Sequence, residues 1–117
     1  MADNSLVLAC SGGSDVGELA DRTARALKKA GTAKMYCLAG IGAKLASMVK
    51  TAAAAGELIA IDGCAQNCAA HCLRNAGIEN FRHLKLVEMG FEKGKAPVTE
   101  DAIARAAQQA SRLLETV

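Results

Sequence analysis

The sequence has few aromatic residues and little proline. Among its 117 residues, two are Phe, one is Tyr, one is Pro and none is Trp. A surface that stacks nucleic acid bases on aromatic rings is therefore not expected. An excess of one charge is also missing, because 14 basic and 12 acidic residues are dispersed along the chain and give a net charge of +2. Without a concentrated positive potential to attract phosphate backbones, we expect no nucleic acid partner.

Long hydrophobic runs are absent as well. The apolar run from Leu6 to Cys10 is too short for a membrane span or for the core of a signal peptide, and positions 1 to 4 carry no positive side chain. We therefore expect a cytoplasmic protein with no membrane partner. A length of 117 residues, of which 51% are hydrophobic, suits one compact core, so residues 1–117 are predicted to form a single domain.

Cysteine, in contrast, is well represented, with five residues in this short chain. In the cytoplasm, glutathione and thioredoxin keep such thiols reduced, so a disulfide framework is not expected. Metal binding or thiol chemistry is the explanation that the cysteine content favours.

Short apolar segments alternate with helical patterns along the chain. Strands are predicted at residues 6–9, 34–38, 58–61 and 84–87. Helices are predicted after each of the first three strands: one from the Gly-rich segment 11–14 to residue 30, one from about residue 45 to 56 after a loop containing Gly40 and Gly42, and one from about residue 65 to 77.

The last predicted helix has the clearest start. Thr99 is its predicted N-cap, and Val98 and Ile103 are predicted to form a hydrophobic staple. The acidic residues Glu100 and Asp101 suit the positive end of the helix dipole. Its apolar residues follow the three-and-four spacing of an amphipathic helix: Ile103, Ala106, Ala107, Ala110, Leu113, Leu114 and Val117.

This alternation predicts an α/β fold of the Rossmann or flavodoxin-like kind. Apolar strands separated by helices indicate a four-stranded parallel sheet between two layers of helices, a three-layer α/β/α sandwich. Right-handed crossovers place the carboxyl ends of all strands at one edge, where ligands bind in this fold class. We predict the strand order 2-1-3-4, which keeps the first three strands adjacent.

Three cysteines recur at equal spacing in this pattern. Cys10, Cys37 and Cys64 are 27 residues apart and then 27 again, each at the end of a predicted strand. Neighbouring parallel strands lie about 4.8 Å apart, so we expect these three thiols to approach one another at the carboxyl edge.

A fourth cysteine follows one helical turn after the third. Cys64 and Cys68 are four residues apart and are predicted to share a face of the helix at 65–77. Zinc is commonly bound by four thiolates in a tetrahedron, and Cys10, Cys37, Cys64 and Cys68 supply that number. Such a closed site would be structural or sensory. The N–H groups of loop 11–13 are the expected donors that offset its negative charge.

The motifs around these cysteines resemble a known family. Asp62-Gly63-Cys64 followed by Cys68, a Cys-Ser-Gly-Gly-Ser segment at residues 10–14, and the cysteine that ends the second strand are similar to the DGC domain family over nearly the whole chain. That family takes its name from the tripeptide and is described as zinc-binding through four cysteines. The resemblance implies zinc on Cys10, Cys37, Cys64 and Cys68, and it implies no defined biochemical role.

The other residues of the predicted third helix are interpreted differently. Cys72 would lie about 12 Å along the helix axis from Cys64 at 1.5 Å per residue, too far to share its ion, so we interpret it as a core cysteine, with a reserve or redox thiol as the alternative. His71 lies two turns down the same helix and is interpreted as an exposed or hydrogen-bonded histidine.

Three polar residues near the predicted strand ends complete the set. Asp62 is expected to cap the turn or accept loop N–H bonds beside the metal. His83 has no evident partner in the sequence and is interpreted as a surface residue. Glu88 is interpreted as a solvated loop carboxylate.

Four thiolates also suit an iron–sulfur cluster, and the sequence does not separate that cluster from zinc. The alternative function is a thiol or sulfur-transfer or redox enzyme, because cysteines at helix starts make good nucleophiles. That class favours one exposed cysteine with a resolving partner, whereas several neighbouring cysteines suit an ion better.

Two glycine-containing motifs indicate nucleotides only weakly. Residues 11–15 are similar to the SGGxD core of PP-loop ATP pyrophosphatases, but Val16 replaces the hydroxyl residue that usually follows, and the chain is short for that class. Gly40-Ile41-Gly42 lacks the third small residue of a dinucleotide fingerprint, because Leu45 stands there.

Overall fold

The computed structural model describes residues 4–115. Its sheet has four parallel strands in the order β2-β1-β3-β4, so the predicted topology is confirmed. The strands are β1 Ser5–Ala9, β2 Lys34–Met35, β3 Glu57–Asp62 and β4 Arg82–Lys85. The α-helices are α1 Asp15–Lys29, α2 Leu38–Gly42, α3 Ala46–Ala53, α4 Cys68–Asn75 and α5 Glu100–Glu115, with a 3-10 helix at Leu86–Met89.

Helices cover both faces of this sheet because the two central strands are apolar on both sides. In β1, Val7 packs towards α1 and α5, whereas Leu8 packs towards α2, α3 and α4. In β3, Ile59 and Ala60 divide between the same two faces. All four side chains are fully buried, and burial of each large one contributes about 1.5 to 3 kcal/mol. The result is a Rossmann-like three-layer sandwich.

The second βα unit differs from its prediction. Strand β2 has two residues, and Gly40 and Gly42 lie inside the short helix α2 and not in a loop. The predicted single helix at about 45–56 is shorter and is preceded by α2, with Lys44 in the left-handed region at φ 57° between them. Gly40 lies directly under the Met48 side chain of α3, whose flexible end would have to move if a Cβ were added there. Periodicity alone did not reveal this helix-helix contact.

The last two elements follow the sequence more closely. Strand β4 begins two residues earlier than predicted, and residues 86–89 form the 3-10 helix. Helix α5 begins as predicted, since the Ala102 N–H donates to the Thr99 hydroxyl at 3.1 Å. Val98 and Ile103 both pack against the core, and Val117 lies outside the described residues. None of the helices within residues 4–115 is long and apolar enough to cross a membrane.

Asp15, part of the pyrophosphatase-like motif, has a structural role. Its carboxylate accepts hydrogen bonds from the backbone N–H groups of Gly94 at 2.9 Å and Ala96 at 3.0 Å, and so ties the start of α1 to the loop before α5. These donors lower the pKa of Asp15 below its ordinary value of 3.8, the bond from Gly94 having the largest effect.

Replacing Asp15 by Asn is therefore expected to lower the melting temperature by a few degrees at pH 7. Because the folded-state pKa is lowered, the stabilisation is present above pH 3.8 and is lost as the pH falls through the folded-state value. The difference between wild type and variant should shrink below that pH in thermal unfolding followed by circular dichroism. A difference that stays constant down to acid pH would contradict this role.

Candidate thiol site at the carboxyl edge of the sheet

The cysteines lie where the chain leaves the strands at the carboxyl edge of the sheet. Cys10 directly follows β1, and its N–H extends the ladder by donating to Ile61 O at 3.1 Å. Cys37 follows β2 by two residues and is the N-cap of α2. Cys64 follows β3 by two residues, and Cys68 is the first residue of α4. All five cysteines are free.

Cys10 is half-buried and receives backbone hydrogen bonds. Its Sγ accepts from the N–H of Gly63 at 3.3 Å, which links the β1 and β3 loops. Burial raises the pKa of the Cys10 thiol above its ordinary value of 9.0, and the charges of Asp62 and Cys68 add to that rise. The N–H groups of Gly63 and Gly12 act in the opposite direction, and the second lies in the predicted donor loop.

The prediction that Cys64 and Cys68 share a helix face is wrong. Residues 64–67 form a turn in which the Asn67 N–H donates to Cys64 O at 3.3 Å, and α4 begins only at Cys68. Asn67 is left-handed, with φ 55°, so the backbone changes direction between the two cysteines. Cys68 and Cys72 are therefore the pair one helical turn apart.

Cys72 is partly buried and packs against the face of the sheet covered by α2 and α4. An added Cβ at Gly42 would lie 3.2 Å from its Sγ, so Gly42 allows α2 to pass close over this thiol. Burial raises the pKa of Cys72, with smaller contributions from the negative charges of Cys68 and Asp62. The core interpretation thus describes part of its surroundings, but Cys72 also faces a cavity.

This cavity has a volume of about 640 Å³ and is called the thiol cavity below. Cys10, Cys37 and Cys72 lie in its wall, together with Arg25 and Lys28 of α1. Its remaining lining is Ala9, Ser11, Asp21, Met35, Tyr36, Leu38, Ala39 and Gly42. Cys64 packs instead against the core face under α1 and α5. The structure therefore gathers three thiols around a space for a small molecule.

Asp62 is a buried residue that connects the end of β3 to the start of α4. Its side chain is 1% exposed and accepts the backbone N–H groups of Ala69 at 2.7 Å and Ala70 at 3.1 Å, the first turn of α4. Asp62 is thus a capping residue, but for the N–H groups of α4 and not for the turn or loop N–H groups that were predicted. These bonds satisfy N–H groups in the first turn of α4 and so hold the start of that helix, where Cys68 lies.

His83 also bonds to Asp62, so its interpretation as a surface residue is wrong. Its Nε2 lies 2.7 Å from Asp62 Oδ2, and its side chain is 13% exposed. The register pairs Ala60 with His83 and Asp62 with Lys85, which makes His83 and Asp62 diagonal neighbours on one face of the sheet. His83 and Asp62 are 21 positions apart in the sequence and are brought together by the pairing of β3 with β4. The sequence offered one signal for this contact, a histidine directly before a predicted strand.

Two glycines bring the loops close to α1. A Cβ at Gly63 would lie 2.5 Å from Val16 O, and one at Gly17 would lie 2.7 Å from Gly12 O. Each residue of Asp62-Gly63-Cys64 thus has a separate physical role, in which the carboxylate caps α4, the glycine permits backbone contact and the cysteine supplies a thiol. Gly17, inside a helix, was not identified from the sequence.

The remaining polar residues lie at the surface. His71 is exposed on α4. Glu88 is solvated as expected, and its carboxylate lies 3.6 Å from the Lys85 ammonium at the surface.

The donor set suits zinc in kind, since thiolates are its preferred soft ligands. Its arrangement is open, because within residues 4–115, which include every cysteine, no three Cys, His, Asp or Glu side chains are grouped to hold an ion. Left-handed residues adjoin two of the predicted ligands, Ser11 after Cys10 and Asn67 before Cys68. Such strained backbone in non-glycine residues is frequent at functional loops.

Comparison with known proteins agrees with this arrangement of motifs. The chain is 39% identical over 88 residues to the anaerobic and virulence modulator AnvM of Pseudomonas aeruginosa, an alignment that covers 75% of this chain and 67% of that protein. No solved structure gives a significant match. The family profile of the DGC domain matches residues 6–110. The chain therefore belongs to the DGC domain family.

Proposed function

We propose that this protein binds one zinc ion through Cys10, Cys37, Cys64 and Cys68. The observation that supports this most is that loops after three adjacent parallel strands and the start of α4 bring four cysteines to one edge of the sheet. Since the four thiols are not grouped in the structure, binding requires the loops to close around the ion. The ion would supply charge neutralisation and a cross-link between the loops.

Backbone N–H groups are in place to stabilise the negative charge of a thiolate at this site. Four thiolates on a divalent ion retain negative charge, and the N–H groups of Gly12 and Gly63 already point to the Cys10 sulfur. Asp62 and the first turn of α4 give Cys68 a fixed base, so closure is assigned to the loops around Cys37 and Cys64.

We further propose a sensory role for this site in the cytoplasm. A closed four-thiolate site leaves no open coordination position for a substrate, and its thiolates respond to oxidants when the metal is lost. The relative from Pseudomonas aeruginosa is named as a modulator, which suits sensing better than catalysis.

Elemental analysis of the purified protein, with thiol counting before and after chelation, tests this proposal. We expect about one zinc per chain and four thiols protected until chelation, as for a closed four-thiolate site. A colourless protein is expected, whereas a brown one containing iron would indicate an iron–sulfur cluster. Absence of bound metal, with all five thiols reacting at once, would overturn the zinc proposal.

Thiol chemistry is the second candidate function, favoured by one specific observation. Three of the cysteines line a cavity large enough for a small molecule, and none of them is already grouped with other ligands for an ion. A thiol or sulfur-transfer enzyme needs such an accessible thiol beside a substrate space. In that case the protein as purified would contain no metal and would react through the cavity cysteines.

A further inference from the structure

The thiol cavity combines sulfur nucleophiles with a basic wall. Cys37 is exposed, whereas Cys10 and Cys72 are partly buried in the same wall. Cys37 is therefore the most accessible of the three thiols. Cys72, which the proposed zinc set leaves without a role, belongs to this cavity and packs under Gly42.

The charges of the basic wall come from α1. Asp21, Arg25 and Lys28 are spaced four and three residues apart and so lie on one helix face. Arg25 Nε lies 2.7 Å from Asp21 Oδ2, so these two charges largely cancel. Asp21 is held there by the Ser11 hydroxyl as well, which donates to its Oδ1 at 2.8 Å.

Lys28 contributes the one positive charge of the cavity wall that is not offset by Asp21. Within residues 4–115 it forms no ion pair, and its long side chain is exposed at the cavity wall. Asp62, outside the lining, places a negative charge near Cys10 and Cys72, while the charged side chains of the cavity wall sum to one positive charge. A ligand that complements the wall has a sulfur to meet the cysteines and an anionic group to meet Lys28.

We propose that the thiol cavity binds small anionic disulfides and that Cys37 exchanges with them to form a mixed disulfide. The Cys37 thiolate attacks one sulfur of the ligand, a new S–S bond forms and the ligand's own S–S bond breaks. The released thiolate takes up the proton that Cys37 lost, so the products are the mixed disulfide and one free small thiol. The disulfide ligand is itself the oxidant.

This proposal goes beyond zinc binding, because it concerns the metal-free thiols and needs no ion. It also makes a prediction that the zinc proposal does not make, namely a preference for ligand charge. Zinc on Cys10 and Cys37 would block the reaction, so the experiment uses the full chain after chelation. Its failure would therefore leave the zinc proposal standing.

The test compares three small disulfides of similar size that differ in charge: 3,3′-dithiodipropionate, bis(2-hydroxyethyl) disulfide and cystamine. Rates of adduct formation are followed by intact mass, divided by the rates for N-acetylcysteinamide to remove intrinsic reactivity, and the modified cysteine is identified by peptide mapping. We expect the anionic disulfide to exceed the neutral one by about threefold to tenfold and the cationic one to be slowest. The adduct should form on Cys37, and 0.5 M salt should reduce the preference.

Two lysine variants on the same helix decide whether the cavity wall is responsible. Lys28→Gln is expected to remove most of the preference for the anion. Lys29→Gln removes the same charge from the neighbouring residue, which lines a separate surface depression of α1, and should retain the preference. Equal effects of the two substitutions, no charge preference in wild type, or adducts confined to Cys64 and Cys68 would each overturn the proposal. Both lysines are exposed on α1, so neither variant threatens the fold.

Discussion

Replacing Asp62 by alanine is expected to lower the free energy of unfolding by about 3 to 5 kcal/mol. The substitution removes a buried carboxylate that accepts two backbone N–H groups and bonds to His83. The N–H groups of Ala69 and Ala70 would then be left without an acceptor in the interior, at the start of a helix with only eight residues. Urea unfolding followed by circular dichroism measures the change.

Two further variants separate the contributions of the carboxylate's partners. Asp62→Asn keeps one oxygen acceptor and should lose less stability than the alanine variant. His83→Gln leaves both α4 bonds in place and should cost about 1 kcal/mol, the size of one hydrogen bond. If Asp62→Ala unfolds within about 1 kcal/mol of wild type, the start of α4 does not depend on this carboxylate.

Replacing Cys68 by serine is expected to weaken zinc binding by at least about 100-fold, because the loss of one thiolate opens the tetrahedron. A zinc affinity 100-fold weaker removes about 2.7 kcal/mol of the stabilisation that bound zinc provides at a fixed concentration of free zinc. The melting temperature in the presence of zinc should therefore fall as well. Competition with a zinc chelator gives the affinity, and calorimetry with and without zinc gives the stabilisation.

Cys72→Ala is the matched control on the same helix. It removes a thiol one turn from Cys68 and should leave the zinc content near that of wild type, because Cys72 is outside the proposed ligand set. The two substitutions differ in the metal-free protein too, since only Cys72 packs against the core. If Cys72→Ala loses zinc as completely as Cys68→Ser, the ligand set is wrong and the thiol-chemistry function is favoured.

Part of the site followed from the sequence because it depends on strand order and strand ends. The equal spacing of Cys10, Cys37 and Cys64 correctly indicated loops at one edge of the sheet. Asp62 was predicted to cap the turn or to accept loop N–H bonds, but its bonds to Ala69 and Ala70, seven and eight residues further along, come from the packing of α4 against the end of β3. The start of α4 was not predicted either, since a left-handed Asn67 delays it by three residues, and periodicity does not detect a backbone reversal.

The role of Cys72 illustrates how one misplaced boundary changes a site. Measured along a helix from residue 65, Cys72 was too far from Cys64 to share its ion, and it was interpreted as a core cysteine. With α4 starting at Cys68, Cys72 instead reaches the thiol cavity beside Cys10 and Cys37. Its approach to α2 depends on Gly42, a contact between separate elements that sequence spacing does not describe.

The sequence by itself determined the parallel sheet, its strand order and the edge that carries the cysteines, because apolar strands and helical periodicity are local patterns and crossover handedness is general. Only the tertiary structure decided which side chains meet there. His83 joins Asp62 through the β3–β4 register, and Lys28 joins the thiols through the packing of α1. Such contacts depend on distances between elements far apart in the chain, which no local pattern of residues specifies.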